Sequence, residues 1–182
     1  MNHRPASRAG ALRRATVLTL LALGTTAMAW ADSPELPPEI ESPGLPTQAP
    51  LLRNLIVLDL TTPGGLRYGL DPASLSKGTD RILRYVVVIL GANAPVQAWF
   101  EGLRCASNEV KTYARWSASQ QAWQAVETPV WRALNDNQPS RHALVLARQG
   151  ACPTGVTATA TSVEDIVRAL RARRIDVLDR TP

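Results

Sequence analysis

Apolar residues recur along this chain with two different periods, and the change between them divides it. From residue 54 to 126 they alternate or cluster in short runs separated by turn residues. Residues 54–60 (NLIVLDL) form one such run, ended by Pro63-Gly64-Gly65, and residues 66–70 form a second, closed by an Asp71-Pro72 turn. Residues 81–90 (RILRYVVVIL) are apolar on both alternating faces from Tyr85 onward, which predicts a central strand covered on both sides. A turn over residues 91–95 leads into residues 96–105, which split by period two. Val96, Ala98, Phe100 and Gly102 face one way; Gln97, Trp99, Glu101 and Leu103 face the other. Residues 111–116 and 122–126 flank a polar connector of hairpin length, residues 117–121. Strands joined by turn-length links pair antiparallel.

Past residue 139 the period lengthens. Pro139-Ser140 opens a helix predicted over residues 141–149, with Gly150 as its stop. Thr161-Ser162-Val163-Glu164 reads as a capping box with Thr161 as N-cap, and Val163, Ile166, Val167 and Leu170 then make one apolar stripe. The expected architecture is a single α+β domain, an antiparallel sheet of five or six strands with C-terminal helices packed on one face.

What precedes the domain changes how its charge is read. Arg4, Arg8, Arg13 and Arg14 form a basic start without an acid; residues 15–27 are uncharged and apolar. Ala27-Met28-Ala29 and Ala29-Trp30-Ala31 then supply cleavage sites, so residues 1–31 read as a cleaved export signal. The apolar run is too short to be a stable membrane span. Leu12 stands where a twin-arginine signal needs Ser or Thr before Arg13-Arg14, which favours the general secretory route. No cysteine follows the cleavage site to carry a lipid. The expected location is the periplasm, with no transmembrane anchor after cleavage and peripheral contact with the outer membrane left open. Residues 32–50 hold six prolines and three glutamates and read as a disordered leader ahead of a domain spanning residues 51–182. The whole chain has 20 Lys+Arg against 15 Asp+Glu, but removal of the four signal arginines leaves 16 against 15. That balance argues against a nucleic-acid partner.

Cys105 and Cys152 are the only cysteines, and an even count in an oxidising compartment reads as one structural disulfide. No phosphate loop, calcium loop or zinc spacing occurs, so no cofactor and no metal are expected. His142, near Ser140 and Asp136, invites a Ser-His-Asp reading. If Ser140 caps a helix, however, its hydroxyl accepts a backbone N–H and His142 lies out of line with it. Glu101, in an apolar strand near Arg104, is the candidate catalytic acid; the alternative is a structural pair with an arginine. Trp99, Tyr113, Trp116, Trp123 and Trp131 are the candidate partner-binding residues, if they lie exposed on one sheet face.

Arg81 to Val88, Phe100-Glu101-Gly102-Leu103-Arg104-Cys105, Lys111-Thr112-Tyr113-Ala114, Trp131-Arg132, Ala151-Cys152-Pro153 and Asp165-Ile166-Val167-Arg168-Ala169-Leu170 together resemble the cryptic neisserial protein-like (CNP-like) family of exported proteobacterial proteins. The resemblance covers most of residues 51–170, and its most specific part is the aromatic-Glu-Gly-x-Arg-Cys segment. It implies a cell-envelope location and a Cys105–Cys152 bond, and it implies no reaction. The expected function is therefore a non-catalytic envelope module that binds a protein or glycan, the alternative being an envelope hydrolase using Glu101.

Overall fold

A computed structural model describes residue 39 and residues 43–60, 62–152 and 162–178; the expected export signal and the expected N-cap Thr161 lie outside these. Among the described residues no helix is long and apolar enough to cross a membrane.

Seven strands form one antiparallel sheet: β1 Ile56–Val57, β2 Arg67–Lys77, β3 Leu83–Leu90, β4 Gln97–Arg104, β5 Glu109–Ser117, β6 Ala122–Ala125 and β7 Arg132–Ala133. The first six follow one another across the sheet, and β7 shares the outer edge of β5 with β6. The α+β architecture is as expected, with β7 as an addition. A two-residue strand has too little pattern to read from sequence.

Asp71-Pro72 does not end β2. The Asp71 carboxylate accepts the Ala73 N–H at 2.9 Å, and Ser74 Oγ accepts the Val86 N–H at 2.7 Å. Side chains thus replace the ladder bonds where the register shifts between Asp71 and Ser76, and the strand continues through a bulge. β3 is buried along nearly its whole length, as its two-sided apolar pattern requires. Its odd-numbered Leu83, Tyr85, Val87 and Ile89 join Leu70, Leu103, Leu146, Ile166 and Leu170 in the larger core, under the helices. Val86, Val88, Ala98, Phe100, Tyr113 and Ala114 make a smaller core on the opposite face. Gly102 is required there: a Cβ would lie 2.7 Å from the Tyr113 hydroxyl and 2.9 Å from Ile82.

The helices begin and end differently from the sequence expectation. α2, Val163–Leu178, is capped by Ser162, whose Oγ accepts the Asp165 N–H at 3.1 Å and donates to its carboxylate at 3.0 Å. The reciprocal cap is therefore Ser162/Asp165, one residue beyond the expected Thr161/Glu164. α1 covers only His142–Leu146 and passes into a π-helical turn, Ala147–Ala151, which Gly150 permits by adopting φ 134°. The turn presents Cys152 to Cys105 at the end of β4, and the two are bonded with Cα atoms 5.4 Å apart. This bridge fastens the helical segment to the sheet.

The described part of the leader lies against the sheet. Glu39 accepts from Lys111 Nζ at 2.6 Å, Tyr113 OH at 2.7 Å and Trp131 Nε1 at 3.0 Å, while Trp123 Nε1 donates to the Gln48 carbonyl at 2.8 Å. Burial raises the Glu39 carboxyl, but these donors outweigh it and hold the group below its usual range. A chain starting at Leu51 is expected to lose about 2 kcal/mol relative to one starting at Asp32. Because the folded pKa is depressed, Glu39's contribution is complete above the unfolded value of 4.5 and fades as pH falls through the folded one. Urea titrations of both chains should therefore differ at pH 7 and draw closer in acid, the Gln48–Trp123 bond remaining. Equal stability at pH 7 would return residues 32–50 to the role of a spacer.

Candidate functional site

Three adjacent strands place Tyr85, Glu101 and Thr112 in one row, since the register pairs Tyr85 with Glu101 and Glu101 with Thr112. The row faces the helices. There Glu101, 2% exposed, is enclosed by donors: Thr112 Oγ1 to Oε1 at 3.1 Å, and Tyr85 OH to Oε2 at 2.9 Å. His142 at the start of α1 completes the set, with Nε2 2.7 Å from Oε2. Burial raises the Glu101 carboxyl, but the charge and hydrogen bond of His142, then the bonds from Tyr85 and Thr112, lower it overall. Burial and the neighbouring carboxylate push the Tyr85 phenol well up, so it remains a proton donor.

The imidazole is fixed by its packing. Tyr68 stacks on it with ring centres 5.6 Å apart and planes 8° apart, and Trp99 meets it edge-on at 5.2 Å. Its outer nitrogen, Nδ1, lies 2.5 Å from Ser140 Oγ. This corrects the sequence expectation for Ser140. The residue preceding α1 is Arg141, no side chain caps the helix, and Ser140 is free to turn toward its neighbour's ring. The acid that meets His142 is Glu101, from a strand 41 residues earlier, rather than the nearby Asp136.

Among the described residues Glu101 also has no arginine partner. Alternation sends Arg104 to the other face, where it lies 3.6 Å from Glu109, 3.9 Å from Glu39 and 4.1 Å from the centre of the Trp131 ring. The five aromatic candidates divide in the same way. Trp99 is on the helix face beside His142. Trp116 and Trp123 pack edge to face on the opposite side, while Tyr113 and Trp131 hold Glu39. They do not form one exposed aromatic surface.

Above the buried trio the sheet and the segment between β6 and β7 leave an open cleft of about 410 Å³. Trp99, Ser140, Arg115 and Arg132 line it, with Glu101 and His142 at its floor. Both arginines are exposed, and no acid pairs with either among the described residues. Sequence reasoning missed their convergence because Arg115 meets Trp99 through the β4–β5 register and Arg132 arrives on β7.

A disulfide-tied antiparallel α+β domain with a buried Glu–His pair beneath a cleft is the class that fold and site define. The chain belongs to the CNP1-like family, whose model matches residues 37–171. The match takes in Glu39 as well as both cysteines and every residue of the cleft. Comparisons with curated proteins and with solved structures find no match.

Proposed function

We propose that this is an exported, periplasmic binding module whose cleft takes a carboxylate-bearing segment of an envelope protein. The carrying observation is the open cleft that sets Arg115 and Arg132 beside the Trp99 ring. Guanidinium groups pair with a carboxylate through directed N–H bonds, and an adjacent ring supplies apolar contact. A protein partner is favoured over a glycan because the other large rings are already engaged: Trp116 with Trp123, and Trp131 with Arg104 and Lys111. The disulfide suits an oxidising compartment. Direct action of Glu101 on a substrate has no such support, since both its oxygens are engaged below the cleft.

The test is capture from envelope extract by the mature protein, with the retained material identified by mass spectrometry. A retained protein should elute with a competing carboxylate peptide, and Arg115→Ala with Arg132→Ala should weaken retention at least about tenfold. Retention unaffected by the double variant would remove the cleft from the reading. Retention of a saccharide would transfer the module to the glycan class.

A further inference from the structure

We infer that Ser140, His142 and Glu101 form a nucleophile relay that gives the cleft a carboxylic-ester hydrolase activity with Ser140 as the attacking residue. The inference goes beyond the binding role and depends on a different set of groups from Arg115 and Arg132.

The proton positions follow from the surroundings. Glu101 receives hydrogen bonds from Tyr85 and Thr112, and the third group directed at it is His142 Nε2. An ionised carboxylate has no proton to donate, so Nε2 carries the hydrogen. In the neutral form of the ring Nδ1 is then the acceptor and Ser140 Oγ, 2.5 Å away, the donor. In the imidazolium form, whose charge lowers Glu101, Nδ1 donates instead, so the relay belongs to the neutral form. This is the electronic arrangement of a serine nucleophile, an imidazole base and an orienting acid, with the two ring nitrogens exchanged relative to the familiar order. The roles depend on which nitrogen is protonated, and here the buried carboxylate decides it.

The placement also suits reaction. Glu101 and His142 are each 2% exposed, whereas Ser140 is half-buried and lines the cleft. The charged member is therefore shielded from water while the nucleophile is reachable from solvent. Tyr68 stacked on the ring and Trp99 packed edge-on against it restrain the base near Oγ.

In the forward step the Ser140 oxygen attacks the ester carbonyl carbon. Its proton passes to His142 Nδ1, and the carbonyl π pair moves onto oxygen. Collapse of the tetrahedral species breaks the carbon–alkoxy bond, and the alcohol leaves with the Nδ1 proton. Water then attacks the acyl-serine by the same route, giving the carboxylic acid and restoring the Ser140 hydroxyl. Glu101 stays ionised throughout and acts as a positioning residue. Tyr85 and Thr112 position it in turn.

The test uses the mature protein and an uncharged fluorophosphonate ester, which joins phosphorus to the serine oxygen as the P–F bond breaks. One adduct per chain is expected, on the peptide that carries Ser140. Ser140→Ala should carry no adduct, and the urea-unfolded wild type should label at least about a hundredfold more slowly. Glu101→Gln, checked for folding by near-UV circular dichroism, should slow labelling at least about tenfold. The inference fails if folded wild-type protein takes no adduct at Ser140, if adducts scatter over other hydroxyls, or if unfolded protein labels as fast. The wild-type comparisons decide the question even where a variant does not fold. Capture is tested by Arg115→Ala with Arg132→Ala and labelling by the wild-type protein folded and unfolded, so failure of one reading leaves the other standing.

Discussion

Replacing Cys105 and Cys152 together by serine is expected to lower the stability of the folded domain by about 4 kcal/mol and its thermal midpoint by about 10 °C or more. The bond joins residues 47 apart, and opening it returns that loop's freedom to the unfolded chain. The loss is also localised. Cys152 follows a π-helical turn whose neighbour α1 carries His142, so the bridge holds the helical segment over Glu101. Calorimetry of the wild type with and without reductant should reproduce the difference between wild type and double variant, and reductant should leave the double variant unchanged. Free thiols in the protein isolated without reductant, or equal midpoints in all four samples, would contradict the prediction. The double variant is preferred to Cys105→Ser because it leaves no lone thiol to react.

Glu101→Gln is expected to cost about 3 kcal/mol at neutral pH, because it removes the ionised partner of a buried, hydrogen-bonded ring. Tyr85 and His142 share Oε2 while Thr112 donates to Oε1. An amide that keeps its oxygen toward the first two therefore turns its NH₂ to Thr112, whose hydroxyl must reverse, and the negative charge is lost. The pH dependence has a definite sign. The Glu101 carboxyl is lowered in the folded state, so its stabilisation is complete above the unfolded carboxyl value and is lost as pH falls through the folded one. Urea titrations of wild type and variant should be well separated at pH 7 and approach one another in acid. A variant as stable as the wild type at pH 7 would mean that the trio adds nothing to folding.

Much of the scaffold was legible in the residues. The two-sided apolar run of β3, the alternation along β4, and the apolar stripe of α2 each depend on local spacing, and each is found where its spacing places it. The misreadings arose where side chains took over backbone roles. Asp71 and Ser74 carried β2 through an Asp-Pro step that looks like a turn, and Ser162 capped α2. Glu39 and Gln48 show a different difficulty. Their proline-rich surroundings cannot build a core, yet a sheet already formed supplies donors to receive them.

The site was legible only in fragments. Alternation alone puts Glu101 and Trp99 on one face of β4 and Arg104 on the other, so the failure of a Glu101–Arg104 pair follows from sequence. That Tyr85, Glu101 and Thr112 share a row is set by strand register, which depends on how whole faces bury rather than on any of the three residues. The partner of Glu101 arrives from a helix formed 41 residues later and held down by a disulfide. Sequence determined the period of each element, because backbone geometry repeats over neighbouring residues. Tertiary structure alone decided which carboxylate met which imidazole, because that contact is made across the core by side chains with no local spacing in common.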